Sequence, residues 1–473
     1  MTADHVTAPI DPALAAASER AMSYLAGLGD RPVAAAATVD ELRAALDVPL
    51  PDVGVDPAEV VQALADAAEP GLVATGSPRY FGFVIGGALP AALGADWLAS
   101  TWDQNAGLYV GGPSAAVVEE VAGRWVLDVL GLPPTASFGF VTGCQMAHAT
   151  ALAAARNDVL ARVDWDVERR GLVGAPRVRV LASDMRHATV DRALRLLGLG
   201  TDAVEPVASG PDARLRADAL AEALAASSDP TIVIAQVGEV NTGAIDPVAE
   251  MCDLAHAAGA WVHVDGAFGL WAGASHQLRP LVAGVERADS WATDFHKWLN
   301  VPYDSGFAAC AHPDRHRAAM GTHASYLVHA APDGPRDQMD WNPEFSRRAR
   351  GFAVYAALRS LGRQGVADLV DRCCAHARRF ADRLRTVDGV EVLNDVVLDQ
   401  VLIGFAAAGG RDEAGVAQRV VEAVQGSGEC WMSGTTWRGR PAMRISVVNW
   451  QTSEADVDRS LRAIEAAVTA AQG

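Results

Sequence analysis

The sequence predicts an α/β protein with a mostly parallel sheet covered by helices on both faces. Three observations carry this reading. From about residue 135, short β-rich runs alternate with helical patterns. The runs are apolar and end in polar or glycine-containing turns, as strands buried on both faces do. Chemically active residues then stand where several of those runs stop, the edge at which open α/β sheets collect ligands.

Residues 1–75 read as a helical arm, because DPALAAASERAMSYLAGL, TVDELRAAL and DPAEVVQALADAA are separated by Pro-rich connectors such as VPLPDVGVDP. Residues 76–385 form the large α/β domain. FGFV leads through the turn Thr142-Gly143-Cys144-Gln145 into a helix expected from about Met146. RVRVLAS, TIVIAQV, AWVHVD, DSWAT and GFAACA are strands, with helices in ATVDRALRLLGL and DPVAEMCDLAHAAG. A long helical stretch, SRRARGFAVYAALRSLGRQGVADLVDRCCAHARRFADRLR, closes the domain. Residues 386–473 read as a small α+β domain, with strands in VEVLNDVVLDQVLIGF and MRISVVN and helices in EAGVAQRVVEAVQ and from Glu454 onward.

Composition narrows the function. The chain is 50% hydrophobic and carries 58 acidic against 39 basic residues, a net charge of −19. Its only basic runs are pairs such as Arg169-Arg170 and Arg347-Arg348, so neither nucleic acid nor an anionic membrane is an expected partner. The start MTADHVTAPIDPAL lacks the basic and apolar regions of a signal peptide, and no run of about 18 apolar residues occurs. Six cysteines without a C-x-x-C pair read as reduced, buried thiols, and the expected compartment is the cytoplasm.

Lys297, in TDFHKWLN, is the only lysine; the other 38 basic residues are arginine. A guanidinium stays protonated, whereas an ε-amine can lose its proton and attack a carbonyl. Lys297 follows DSWATDFH, Asp265 closes AWVHVD, His187 follows RVRVLASDMR, and Asn241 and Thr242 follow TIVIAQVGEV. Four strand ends thus bring an amine, a carboxylate, an imidazole and a hydroxyl to one crevice. For such a lysine the leading cofactor is pyridoxal 5′-phosphate (PLP), which needs a carboxylate at its ring nitrogen and donors for its phosphate, commonly at a helix N-terminus. His263 shares the strand face of Asp265, either to orient it or as a core histidine. No metal-ligand spacing supports a metal reading of His263, Asp265 and His296.

HVDGAF followed by TDFHKWLNVPYDSG resembles the group II PLP-dependent amino acid decarboxylases, the family of the aromatic-L-amino-acid, histidine and glutamate enzymes. SPRYFGF, GGPSAAVVEEVAGRWVLDVLGLP and EFSRRARGFAVYAALRSLG extend the resemblance from about 75 to 365, with a weaker match at MRISVVN. It implies the fold type I architecture of PLP-dependent transferases, a homodimer with shared active sites, and decarboxylation of an L-amino acid through a Schiff base on Lys297. It further implies that Asp265 pairs with the ring nitrogen, His187 stacks on the ring and Ala267 packs on its other face. Thr242 would lie near the 3-oxygen, while Cys144, Gln145 and His296 reach the phosphate, with Thr293 as a further hydroxyl. Ser346 would approach the phosphate from the neighbouring subunit, and Tyr326, in THASYLVHA, would protonate the substrate Cα. Gln145 stands where the family has a small hydroxyl residue, leaving its backbone N–H as donor, and Asp294 stands where some relatives carry an amide. Aldehyde-forming oxidative deamination, transamination, carbon–carbon lysis and a non-catalytic role are the alternatives. Tyr80, Phe81, Trp102 and Tyr109 are candidates for the substrate pocket or the core.

Overall fold

The architecture was obtained as a computed structural model that describes residues 10–322, 334–406 and 413–472. Helix starts in the arm follow from capping chemistry. Asp11 and Asp56 accept backbone N–H bonds ahead of the proline-led helices α1 (Pro12–Ala26) and α3 (Pro57–Ala68), and Thr38 with Glu41 closes a capping box on α2 (Val39–Leu46). Helices α4 (Pro90–Trp102) and α5 (Pro113–Leu130) lead to strand β1 (Ser137–Val141) and helix α6 (Cys144–Ala161). That helix begins at Cys144, two residues before the expected Met146. Its buried alanines at 147, 149, 151 and 153–155 let it lie close against the sheet.

The chain continues through α7 (Val167–Arg170), β2 (Arg179–Ser183), α8 (Ala188–Leu196), β3 (Val204–Val207), α9 (Ala217–Ala225) and β4 (Thr231–Gln236). Helix α10 (Val248–Ala257), β5 (Trp261–Asp265), β6 (Ser290–Asp294) and β7 (Gly306–Cys310) complete the seven-stranded sheet, in the order β1-β7-β6-β5-β4-β2-β3. The pairs among β3, β2, β4, β5 and β6 are parallel; β7 runs antiparallel to both β6 and β1. β1, β2, β4, β5, β6 and β7 are buried at every position, which is why they read as apolar runs.

After α11 (Pro313–Met320) comes α12 (Gly351–Leu384), which starts later than the helical pattern suggests and is broken at Gly362, whose φ of 62° leaves the helical region. Ahead of it, Arg347 forms a buried ion pair with Glu119 of α5 (Nη1 to Oε2, 2.8 Å) and so ties the segment to the large sheet's cover. A second, antiparallel sheet contains β8 (Val390–Val392), β9 (Gln400–Phe405), β10 (Ser433–Trp437) and β11 (Arg440–Ser446) in the order β10-β11-β9-β8, with α13 (Glu413–Gly426) and α14 (Glu454–Gln472). Among the described residues no helix is long and apolar enough to cross a membrane.

Candidate active site

The register of the large sheet sets Gln236 of β4 beside Asp265 of β5, which in turn pairs with Ala292 of β6. Their carboxyl ends open onto a cavity of about 470 Å³ lined by Lys297, Asp265, His187, Ala267, Cys144, Gln145 and His296. Residues more than 150 positions apart in the chain therefore share one site. Gly306 lets two of its walls meet: a Cβ there would stand 2.5 Å from the Cα of Gly143. Gly86 does the same for the lysine turn, since a Cβ would fall 2.0 Å from the Lys297 carbonyl oxygen.

Each polar group has a definite electrostatic setting. Burial raises the pKa of Asp265, but His148, His187 and Lys297 more than offset it and hold the carboxyl well below its usual range. Its Oδ1 also accepts the Ala267 N–H at 3.2 Å. Burial alone would lower the pKa of Lys297, yet the Asp294 carboxylate, 2.9 Å from Nζ, holds the amine above its ordinary value as an ammonium. Asp294 Oδ1 accepts the Cys144 N–H at 2.5 Å and lies 3.3 Å from His296 Nε2. His296 Nδ1 accepts the Ser305 N–H, its ring stacks on Tyr303 at 4.2 Å, and burial pushes its pKa down. His187 caps α8, with Nδ1 accepting the Thr189 N–H at 3.3 Å, and burial favours its neutral form.

Not every expected residue reaches the cavity. The Thr242 hydroxyl donates to Glu239 at 2.9 Å, in a tight turn after β4, and Gln236 from the strand end itself takes the place on the wall. Thr293 Oγ1 points to the Ala267 carbonyl at 3.4 Å, because alternation along β6 turns it away from the face of Asp294. Ser346 is exposed and stands five residues before α12, whose N-cap is Arg350, so it does not cap that helix. Tyr326 lies outside the described residues. Tyr80 and Phe81 are buried in the core, whereas Phe83 and Val84 line the cavity. These two have φ of 52° and 58°, a left-handed pair that is costly for a β-branched residue. Arg444, from β11, also lines the wall; only the weak match at MRISVVN hinted at it.

The residues present fit PLP. The start of α6 is left open: Gly143 provides no side-chain cap, and the helix dipole and the first-turn N–H groups of Gln145 and Met146 suit a phosphate. A Cβ at Gly143 would crowd His296 Cε1 at 3.0 Å and Asp294 Oδ1 at 3.3 Å, so the cradle needs glycine. An ionised carboxylate and a single amine face the same space. Asp294 opposes an incoming phosphate but is already engaged by the ammonium and the Cys144 N–H. The Gln145 side chain is turned aside, accepting from Arg192 at 3.3 Å.

The family described as pyridoxal-dependent decarboxylase conserved domain matches residues 40–406. Tryptophan decarboxylase 1 of Oryza sativa subsp. japonica is 29% identical, over 86% of this chain and 83% of its own. A phenylacetaldehyde synthase from a Rosa hybrid cultivar is 26% identical, over 81% and 79%. The crystal structure of Oryza sativa TDC with PLP and tryptamine superposes with a TM-score of 0.91 at 25% identity, covering 99% of this chain and 100% of the other.

Proposed function

The chain belongs to the pyridoxal-dependent decarboxylase family, and from that premise we propose that it releases carbon dioxide from an L-amino acid with PLP held on Lys297, leaving the amine. The observation that carries the proposal is the convergence of the sole lysine, an ionised Asp265 and a neutral His187 on one cavity. Bound there, PLP supplies an electron sink for the bond pair left behind when the carboxylate departs.

The chain's own residues then have separable tasks. Asp265 holds the proton on the ring nitrogen, and the α6 N-terminus binds the phosphate. Asp294 pairs with the Lys297 ammonium, whose proton must pass to solvent before the amine can act as a nucleophile. His187 and Ala267, both on the cavity wall, would hold the ring between them. Tyr326 delivers a proton to the substrate Cα, and Ser346 of the partner subunit completes the phosphate site. The substrate class we infer is aromatic: Phe83 and Val84 line the cavity beside the packed rings of Trp431 and Tyr80, with Phe83–Trp431 and Tyr80–Trp431 centroids both 5.2 Å apart. The compartment we infer is the cytoplasm, in keeping with six free, buried thiols.

Similarity to a phenylacetaldehyde synthase supports a second reading, in which the product is the aldehyde and the amino group leaves as ammonia. One screen tests both. The twenty amino acids and hydroxylated aromatics are offered to the PLP-loaded chain while amine, aldehyde, carbon dioxide and oxygen are followed. Amine with equimolar carbon dioxide is expected; aldehyde with oxygen uptake selects the second reading. Lys297→Arg should abolish both product formation and borohydride fixation of the cofactor. Fixation that persists in this variant would overturn the role of Lys297.

A further inference from the structure

Behind Asp265 a line of buried polar groups runs away from the cavity. His148 Nε2 lies 3.5 Å from Asp265 Oδ2, a long contact, and 3.4 Å from Cys144 Sγ. His148 Nδ1 is 2.9 Å from His263 Nε2, and His263 Nδ1 is 2.9 Å from Ser290 Oγ. Ser290 Oγ accepts the Trp261 indole N–H, also at 2.9 Å. His148, His263, Ser290 and Trp261 are all 0% exposed. The geometry follows from the fold: His148 stands one turn into α6, His263 shares the β5 face of Asp265, and Ser290 opens β6 directly opposite His263.

Both ends of this line have a fixed polarity. An indole N–H can only donate, and a carboxylate can only accept. If His148 donates from Nε2 to Asp265, its neutral ring leaves Nδ1 bare, so His263 must donate from Nε2. His263 Nδ1 is then bare and takes the Ser290 O–H, which leaves Ser290 Oγ free to accept from Trp261. Every buried group is satisfied with one proton each. The reverse order, begun by the Cys144 S–H on His148 Nε2, would leave the Ser290 hydroxyl proton without an acceptor in a fully buried position, an unfavourable state.

We propose that Trp261, Ser290, His263 and His148 form a one-way hydrogen-bond relay that fixes His148 as its Nε2–H tautomer and keeps a donor aimed at Asp265, making His263 and Ser290 positioning residues for the ring nitrogen of PLP. The inference rests on the role given to Asp265 above. Burial pushes the pKa of His263 down to about 3, so this ring stays neutral and the direction of the relay is not lost by protonation near neutral pH. The Nε2–H orients the carboxylate, whose charge is what holds the ring-nitrogen proton. Outer-shell hydrogen bonds that orient metal ligands typically change affinity or activity by about 10–100-fold when removed, and the same order is expected where the oriented group is this carboxylate.

The relay can be read without turnover. In the apo chain labelled with ¹⁵N-histidine, NMR should show His148 and His263 both as Nε2–H tautomers, with His263 unchanged down to about pH 5. Ser290→Ala should erase the preference at His263, and Ser290→Thr, which keeps the hydroxyl, should retain it. With PLP labelled at the ring nitrogen, the proton signal should persist in the wild-type protein and in His148→Gln, whose amide N–H replaces Nε2–H. It should weaken in Ser290→Ala, with kcat about tenfold lower and KM nearly unchanged. An Nδ1–H tautomer at His263, or a ring-nitrogen signal identical in Ser290→Ala and wild type, overturns the relay while leaving the decarboxylase reading intact. Failure of the chain to take up PLP at Lys297 would overturn that reading instead, and the apo tautomers would still decide the relay.

Discussion

An ammonium at Lys297 cannot attack an aldehyde, and Asp294, 2.9 Å away, is what keeps it protonated. Cofactor capture by the apo chain should therefore be slow at neutral pH and rise with pH. Asp294→Asn removes the charge while keeping the size, so burial pulls the amine's pKa down against only the remaining opposition of Cys144 and Asp265. Each unit of that fall gives ten times more free amine. The variant should capture PLP about tenfold faster at neutral pH, and loss of an anion beside the phosphate acts in the same direction. Stopped-flow absorbance of PLP added to apo protein checks this; a rate and pH profile equal to wild type would refute the role of Asp294. Residues such as Asp265, His187 and Lys297 were legible because each sits at or just after a β-rich run. Arg444 and Phe83 were not, since their place on the wall depends on how the second sheet and a left-handed turn pack against the first. His148 was hidden for another reason: on an alanine-rich helix, a lone histidine gives no sign of what faces it.

At the scale of an element, the entry to β9 carries a buried acid. Asp399 is 0% exposed; its Oδ2 accepts from Gln400 Nε2 at 3.1 Å, and among the described residues its Oδ1 has no hydrogen-bond partner. Burial pushes its pKa up to about 7, against the weaker opposing effects of its own backbone, Gln400, Lys297 and Arg444. The folded pKa lies above the unfolded value of 3.8, so its contribution to stability is fully present below about pH 4 and is lost as pH rises through 7. At about 1.4 kcal/mol per unit, the ceiling is of the order of 4 kcal/mol. Asp399→Asn mimics the protonated form at every pH, so its gain in Tm over wild type should be near zero at pH 4 and grow to a plateau above about pH 7. Melting curves of the apo chain across that range test it, and an equal gain at both ends would sink the assignment. Strands of the large sheet were readable because burial on both faces makes them continuous apolar runs. The break of α12 at Gly362 was not, because a glycine inside a helical pattern looks the same whether the helix tolerates it or ends there.

Over the whole molecule, exposed large hydrophobics crowd the first quarter of the chain, from Ile10 to Val117, and include Leu50 at 93% and Val53 at 80% exposure. Among the described residues only Val163, Val173, Leu196, Leu281, Tyr303 and Phe345 extend that set. We propose that a second copy, related by two-fold symmetry, covers part of this apolar surface on both subunits. A dimer is the expected species in sedimentation. Lys297→Ala and Ser346→Asp subunits, each inactive alone, should recover roughly a quarter of the activity after mixing and exchange, since half of the dimers are hybrids with one intact site. A monomer active at assay concentration, or a mixture as inactive as its parts, would remove the shared site.

The single lysine has a consequence for handling the protein. Amine-directed reagents scatter over many side chains in most proteins, but here they meet one, with its side chain 18% exposed inside the cavity. At a pH high enough to free the amine, such a reagent becomes a stoichiometric counter of vacant active sites, and bound cofactor should protect against it mole for mole. Trypsin supplies the readout. Cleavage after Arg287, Lys297 and Arg315 yields two peptides from an unmodified chain, while modification at Lys297 fuses them into one spanning residues 288–315. The ratio of fused to split peptide measures the loading of any preparation without an assay or a known substrate.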